Sequence, residues 1–186
     1  MRIVSGFLKG KKIDFLKNET TRPLRDFIKE NIFNIITHSN LINVKLENAD
    51  VLDLYSGIGS FGIECISRGA KKSTFVENDN KALVTLKKNL YSLKIENQSK
   101  VFNEKSISFI NKLNNKHKFE IIFLDPPFEE NYFIRELKII KDSLIYKKKH
   151  LIIIHREDKS QDNIDKIINV LLTRSYGRSK VIFGTF

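Results

Sequence analysis

Four consecutive residues, Asp125-Pro126-Pro127-Phe128, combine a carboxylate, two rigid prolines and an aromatic ring directly after the mostly apolar run 120–124. An exocyclic amine of a nucleic-acid base is a weak nucleophile, because its lone pair is delocalised into the ring. The Asp125 carboxylate and the Pro126 carbonyl could each accept one amine hydrogen, since proline fixes φ and removes backbone donors. Phe128 offers a face on which an extruded base can stack. We interpret these four residues as catalytic; the alternative is that the prolines end a strand and Phe128 fills the core.

A second motif, Gly57–Gly62, has the spacing G-x-G-x-x-G, which is typical of a turn whose backbone closely approaches a nucleotide-like ligand. Glu77 lies 18 residues after Gly59, at the end of the next predicted strand, where it can accept hydrogen bonds from both hydroxyls of a ribose. These two features fit NAD and S-adenosylmethionine equally well. Asp53 separates the two cofactors, because a carboxylate there repels a pyrophosphate but attracts an ammonium and a sulfonium. The alternative for Asp53 is that it only caps the next helix.

The elements that must position these motifs alternate between strands and helices from Ala49 onward. Strands are predicted at 51–55, 73–77, 100–103, 120–125, 150–155, 171–175 and 180–185, and helices after the glycine turn through residue 66 and at 80–93, 131–145 and 162–170. Parallel strands need helical crossovers, so this alternation predicts an α/β fold with a doubly wound, mostly parallel seven-stranded sheet. A closing hairpin turned at Tyr176-Gly177-Arg178 would give that sheet an antiparallel end.

An N-terminal extension, residues 1–40, precedes the core, residues 41–186, and the two are expected to form one compact domain. The extension is predicted to contain a β-hairpin made by Arg2–Val4 and Ile13–Phe15. A helix that begins near Pro23 then runs to about His38, because its apolar positions follow a helical spacing.

The net charge of +11 favours a polyanionic partner, because Lys and Arg that neutralise phosphates release counterions. The alternative is that lysine only decorates solvent-facing positions. Six cations of the extension are predicted to form an RNA-docking surface: Arg2, Lys9, Lys11, Lys12, Arg22 and Arg25. Lys147-Lys148-Lys149 is predicted to be a solvated loop, and Arg174, Arg178 and Lys180 receive no assignment.

Several classes of protein are excluded by what the sequence lacks. Cys65 is the only cysteine, so a disulfide framework and a cysteine-based zinc site are impossible, and we expect Cys65 to be a small core residue. No histidine and carboxylate are spaced as a metal site, and His150 and His155 are interpreted as structural. The apolar runs are too short to span a bilayer and no signal region is present. We therefore expect no metal, no membrane partner and a cytoplasmic location.

Together, the motifs resemble the class I methyltransferases, and within them the bacterial 16S ribosomal RNA (guanine-N2) methyltransferase family, RsmD. The resemblance covers essentially the whole chain. It rests on Gly6 and Gly10, Thr21-Arg22-Pro23, Asp26, Glu30, Phe33-Asn34, the cofactor loop Leu52–Gly62, the strand Phe75-Val76-Glu77 and the catalytic loop Phe123–Phe128. The chain departs from the family pattern at Leu24, where Thr is usual, and at Phe27, where Arg is common.

The resemblance implies a monomer that transfers a methyl group from S-adenosylmethionine to the N2 amine of a guanine, in 16S ribosomal RNA or the assembling small ribosomal subunit. The cofactor-binding residues that it and the motifs predict are Asp53, Tyr55, Ser56, Gly57, Gly59, Glu77, Asn78, Glu104 and Asp125, with Ser106 as an alternative to Glu104 near the adenine. Other activities remain open from the residues themselves. They are an amino-methyltransferase acting on another RNA or on DNA adenine or cytosine, a nicotinamide-dependent oxidoreductase, and a non-catalytic RNA-binding protein.

Overall fold

A seven-stranded sheet organises the computed structural model, which describes residues 1–15, 26–114, 116–127 and 132–186. The strands are β1 (Asp50–Leu54), β2 (Lys72–Glu77), β3 (Ser99–Asn103), β4 (Phe119–Leu124), β5 (Tyr146–Glu157), β6 (Asn169–Tyr176) and β7 (Ser179–Thr185). The helices are α1 (Asp26–His38), α2 (Ser60–Ser67), α3 (Asn80–Leu93), α4 (Ser106–Lys112) and α5 (Tyr132–Asp142), with one 3-10 turn at Glu96–Gln98. Within these described ranges, no helix has both the length and the apolar character needed to cross a membrane.

The strand order is β3-β2-β1-β4-β5-β7-β6. Strands β1 to β5 pair in parallel, whereas β7 lies antiparallel between β5 and β6. The chain builds outward from β1 to β3 and then returns to place β4 on the other side of β1, so the topological switch point lies between β1 and β4. The prediction of a doubly wound, mostly parallel sheet with an antiparallel end is confirmed.

Apolar residues of both sheet faces form the core, because successive side chains of a strand point to opposite sides. In β4, Ile121 and Phe123 belong to the apolar cluster that includes α1 and α2. Their neighbours Ile122 and Leu124 belong to the cluster that includes α4 and α5. Helix α1 contributes buried residues to the same core as the sheet, so the helix of the extension is an integral part of the fold.

A buried carboxylate attaches the N-terminal residues to α2. Glu64 is fully buried and accepts hydrogen bonds from the backbone N–H groups of Val4 and Ser5, each at 2.9 Å. The Arg68 Nε donates to the same carboxylate at 2.8 Å, and the fully buried Lys29 Nζ lies 3.6 Å from it. These contacts fix the extension against the helix that follows the glycine turn.

The predicted N-terminal hairpin is reduced to a single β-bridge between Arg2 and Lys12, and the predicted helix start near Pro23 lies outside the described residues. The backbone N–H groups of Val4 and Ser5 donate to Glu64, so they cannot form the further inter-strand hydrogen bonds that a longer hairpin needs.

Two further predictions of local structure need correction, and one helix was missed. The predicted helix 162–170 is wrong: Ile168 N–H donates to Ile164 in one helical turn, and β6 begins at the next residue, Asn169. The predicted solvated loop Lys147-Lys148-Lys149 is wrong too, because β5 already begins at Tyr146 and pairs there with Phe119. Helix α4 has only seven residues and was not predicted.

We expect the Glu64→Ala substitution to lower the free energy of unfolding by about 3–5 kcal/mol, because it removes the buried counter-charge of the Lys29 ammonium and leaves only the half-exposed Asp26 near it. Urea denaturation measures this change. Lys112→Ala is a matched control, since Lys112 is 68% exposed and pairs with Glu104 at the surface, where an ion pair contributes at most about 1 kcal/mol. Equal losses in the two variants would contradict a stabilising role of the buried carboxylate.

Candidate active site

Three carboxylate residues lie at the same edge of the sheet. Glu77 ends β2, Asp53 is the fourth residue of β1, and Asp125 directly follows β4. The three strands are neighbours in the order β2-β1-β4 and run parallel, so their carboxyl ends meet at one edge. Open α/β sheets bind ligands at this edge, beside the switch point.

Asp53 is almost completely buried, with 1% of its surface exposed. Its Oδ2 accepts a hydrogen bond of 2.9 Å from Gly62 N–H in the first turn of α2, so the helix-capping interpretation holds for one oxygen. Its Oδ1 is buried and has no hydrogen-bond partner among the residues that the structure describes. Burial raises the pKa of Asp53 well above its usual value; the Gly62 hydrogen bond opposes this, and the charges of Asp125 and Glu77 add to it. A cation placed beside this carboxylate would therefore stabilise its charged form.

The glycine turn is joined to the end of β2 through Glu77. Gly57 N–H donates to Glu77 Oε2 at 2.7 Å, and the N–H groups of Asn78 and Asp79 donate to Oε1 at 2.8 and 2.7 Å. Oε1 thus uses both of its lone pairs, whereas Oε2 keeps one for a further donor such as a ribose hydroxyl. Gly57 has φ 53°, and a Cβ built on it would meet no heavy atom within 4 Å, so the backbone there borders open space.

Close packing brings α2 within reach of Asp53. A Cβ on Gly62 would lie 2.3 Å from the Phe75 ring, so only glycine lets the helix approach β2 this closely. Gly59 has φ 86° and immediately precedes α2. The three glycines of the motif thus differ in role: Gly57 borders open space, whereas Gly59 and Gly62 permit the turn and the helix packing.

Ser56 and Tyr55, also predicted to bind the cofactor, differ in their surroundings. The Ser56 Oγ is buried and has no hydrogen-bond partner within the described part of the chain. Tyr55 has φ 60° and donates its hydroxyl to the Glu136 carboxylate at 2.7 Å, on the face covered by α5. The Tyr55 hydroxyl is therefore engaged with the protein, whereas the buried Ser56 hydroxyl has no partner among the described residues.

The candidates for the adenine contact lie at the end of β3, next to Glu77. Glu104 N–H donates to the Glu77 carbonyl, and the Glu104 carboxylate pairs with Lys112. Ser106 Oγ donates to the buried Glu136 carboxylate. Asn78 is exposed directly after β2. Glu104 and Asn78 therefore lie next to Glu77, and the choice between Glu104 and Ser106 stays a prediction.

Asp125 is held by a histidine that the sequence analysis interpreted as structural. His155 Nδ1 lies 2.8 Å from Asp125 Oδ1, and the two side chains are 11% and 22% exposed. Pro126 is buried and Pro127 is exposed, whereas Phe128 lies outside the described residues. The structure therefore brings Asp125 and Pro126 to the sheet edge beside the cofactor candidates and adds His155 to them.

Arg156, which the sequence analysis did not assign, fixes the loop after β4. Its guanidinium is 1% exposed, donates to the Pro127 carbonyl at 3.0 Å and pairs with Asp162 at 3.1 Å. It also lies over the Phe133 ring, 4.5 Å from the centroid. Arg156 lies two residues after the apolar run Leu151–Ile154 of a predicted strand. A charged side chain so close to a buried strand needs a partner, and this signal could have indicated a buried ion pair.

The predicted RNA-docking residues Arg2, Lys9, Lys11 and Lys12 are all exposed, while Arg22 and Arg25 lie outside the described residues. Lys29 Nζ bonds to the Arg2 carbonyl and approaches Ser60 at the start of α2, so Arg2 and its bridge partner Lys12 lie near the glycine turn. Lys9 lies in the turn beside Ser67, at the opposite end of α2. A cavity of about 650 Å³ separates Arg2 and Lys12 from α3.

Cys65 and His150 are excluded from the site. Burial raises the pKa of the Cys65 thiol well above its usual value, so the thiol is neutral, as expected for a core residue. His150 Nε2 accepts a hydrogen bond from Phe186 N–H at 2.9 Å, and burial lowers the pKa of its ring. Among the described residues, no group of three or more His, Cys, Asp or Glu side chains could hold a metal ion.

Comparison with known proteins agrees with this architecture. Residues 1–185 match the family model described as conserved hypothetical protein 95. A Haemophilus influenzae protein named ribosomal RNA small subunit methyltransferase D is 35% identical over 158 residues, which cover 84% of this chain and 79% of that protein. A Buchnera aphidicola protein of the same name is 33% identical over 164 residues, covering 88% of this chain and 82% of that protein.

A solved Haemophilus influenzae structure has a TM-score of 0.79 at 29% identity, over 98% of this chain and 96% of that chain. The chain therefore belongs to the family of conserved hypothetical protein 95, together with the proteins named ribosomal RNA small subunit methyltransferase D.

Proposed function

We propose that the protein transfers a methyl group from S-adenosylmethionine to the N2 amine of a guanine in 16S ribosomal RNA. The observation that carries the proposal is the position of Asp125, which follows the strand next to that of Asp53 at one sheet edge. A carboxylate able to hold an amine thus borders a pocket that favours a cation. The names of the relatives support small-subunit ribosomal RNA as the substrate.

The buried polar atoms around the glycine turn fit this cofactor. Asp53 Oδ1 and Ser56 Oγ have no partner among the described residues, and a ligand with an ammonium and a carboxylate group would satisfy both. Glu77 Oε2 would accept a ribose hydroxyl, and the open space at Gly57 leaves room for the ligand. When bound, S-adenosylmethionine supplies an electrophilic methyl group on a sulfonium.

The residues after β4 would hold the base and accept its proton. The amine must lose one proton when its nitrogen forms the new bond to carbon, and an Asp125 carboxylate oxygen is the acceptor. The Pro126 carbonyl would accept the second amine hydrogen. His155 orients Asp125 through Nδ1, and Arg156 fixes the following Pro127 carbonyl, so the acceptors are placed before the base arrives.

The N-terminal loop would contact the RNA backbone through the exposed Arg2 and Lys12 beside the glycine turn. Glu77, Asp53 and Asp125 lie at the ends of neighbouring strands of one sheet, so these carboxylates come together without a second copy of the chain, and we propose that the protein acts as a monomer. An RNA substrate of the small ribosomal subunit supports a cytoplasmic location, where that subunit assembles.

We expect Asp125→Ala to slow single-turnover methyl transfer by about 10²- to 10⁴-fold, because the amine loses its proton acceptor. The assay uses labelled S-adenosylmethionine with small-subunit RNA or immature subunits from cells that lack the protein, and mass spectrometry checks the product for N2-methylguanosine. Asp142→Ala, an exposed change at the end of α5, is the control and should retain the wild-type rate. An Asp125→Ala rate within threefold of wild type would exclude the proposed role.

Glu77→Gln should weaken the binding of S-adenosylhomocysteine by about 10- to 100-fold, because hydrogen bonds to a charged carboxylate are stronger than those to an amide. Isothermal titration calorimetry measures this change. Glu47→Gln removes an exposed carboxylate before β1 and should leave binding unchanged. Titration of the wild-type protein with NAD tests the alternative function. We expect no tight binding of NAD, and tight binding would favour an oxidoreductase.

The affinity for S-adenosylmethionine should rise with pH. The pKa of Asp53 is raised in the free protein, and a cationic ligand favours the ionised carboxylate and lowers that pKa. Affinity therefore increases as pH rises from the ordinary aspartate value of about 3.9 through the raised pKa, by at most about tenfold per pH unit. Calorimetry in buffers of different ionisation enthalpy should detect proton release on binding. Asp53→Asn should abolish the release, and an unchanged release in this variant would refute the assignment to Asp53.

A further inference from the structure

An exposed aromatic pair joins α1 to the hairpin between β6 and β7. Phe27, in the first turn of α1, is 65% exposed. Its ring contacts that of Tyr176, the last residue of β6, with centroids 5.9 Å apart and planes at 85°. The edge-to-face contact holds the phenyl ring in a defined orientation while much of its surface faces solvent.

The strand register places this pair at the catalytic edge of the sheet. Ser179 of β7 pairs with Tyr176 on one side and with Glu157 of β5 on the other. Glu157 follows His155, the partner of Asp125, by two residues. Two strand spacings of 4.7–4.9 Å separate β5 from β6, so the aromatic pair lies roughly 10 Å across the sheet from the strand of His155.

Two arginines accompany the aromatic pair. Arg174 and Arg178 are exposed, and neither forms a salt bridge with any residue in the described ranges. Arg174 pairs with Val181 of β7, and Val181 pairs with His155 of β5. Side chains of directly paired residues lie on the same face of a sheet, and Val181 packs in the cluster that includes α1. Arg174 therefore lies on the face that α1 covers. An exposed ring flanked by unpaired arginines is the combination that binds single-stranded RNA, through base stacking and phosphate contacts.

The site thus has positive charge on both sides. The N-terminal loop packs with Phe75 of β2, whereas the aromatic pair and its arginines lie beyond β5. Asp125 follows β4, between these two regions in the strand order. A strand of RNA that contacts both regions would cross the sheet edge at the carboxylate that holds the base.

We propose that Phe27, supported by Tyr176, stacks a base of the single-stranded RNA that flanks the methylated guanine, while Arg174 and Arg178 contact its phosphates. This contact rests on the proposed function, since it assumes that RNA reaches Asp125. It adds a second docking region to the N-terminal loop and fixes the path of the substrate across the site.

Substitution of the ring separates this contact from catalysis. Phe27→Ala should weaken RNA binding and raise the KM for RNA roughly 5- to 100-fold, because a stacked base is lost. The single-turnover rate at saturating RNA and the affinity for S-adenosylhomocysteine should stay at wild-type values. Phe27→Tyr should restore binding. Tyr91→Ala is the matched control, because Tyr91 is 75% exposed on α3 and lies outside the proposed path.

The arginines are tested through the salt dependence of binding. Arg178→Ala should reduce the slope of log K against log salt by about 0.7, the value for one phosphate contact to a single strand. Lys138→Ala removes an exposed charge from α5, on the other face of the sheet, and should leave the slope unchanged.

The outcomes distinguish this proposal from the proposed function. If the wild-type protein methylates RNA and Phe27→Ala binds it with unchanged affinity, the stacking contact is excluded while the methyltransferase activity stands. If the wild-type protein transfers no methyl group to any RNA but Phe27→Ala still lowers RNA affinity, the activity is excluded and the contact stands. If sedimentation shows that wild type is a dimer and Phe27→Ala a monomer, the pair is a protein interface and the proposal is overturned.

Discussion

Negative charge at the sheet edge is the constraint on which the rest of the site depends. Parallel pairing of β2, β1 and β4 brings the carboxylates of Glu77, Asp53 and Asp125 together in a protein whose net charge is +11. Backbone N–H groups of the glycine turn and of α2, together with His155, bind these carboxylates and offset part of their repulsion. The pocket thereby suits a small cation, while the exposed lysines and arginines around it suit a polyanion. One chain can bring both kinds of ligand together only because these charges are separated in space.

Local sequence predicted most of the fold because each central strand is a short apolar run bounded by a glycine turn or a polar loop. The prediction failed where a local pattern and a long-range contact disagree. Ile164, Ile167 and Ile168 have helical spacing, yet the segment forms a single turn, since Asp162 is bound to Arg156 and β6 must start at Asn169. The length of β5 could not be predicted either. Its first residues are lysine-rich, and their place in the strand depends on the distant pairing of Tyr146 with Phe119 and on the salt bridges of Lys147 with Asp50 and Glu120.

The site was predictable to the extent that its chemistry is contained in short motifs. Asp53, Glu77 and Asp125 follow directly from strand ends and glycine spacing. His155 and Arg156 could not be assigned, because they contact residues about 30 positions earlier, and only the β4–β5 register brings the two segments together. The two oxygens of Asp53 show a related limit. Sequence offered capping and ligand binding as alternatives, whereas the structure gives one oxygen to the helix and leaves the other without a partner among the described residues.

The position of β7 between β5 and β6 has a consequence for folding during synthesis. Strand β6 is made before β7 but pairs with no other strand, so a nascent chain that has reached β6 exposes two unpaired edges, those of β5 and β6. Both edges are aggregation hazards until β7 leaves the ribosome and inserts between them. His155 and Arg156 reach Asp125 and Pro127 through the β4–β5 register, but the other edge of β5 is covered only when β7 inserts. Translation must therefore pass β7 before the nascent protein can acquire its working form.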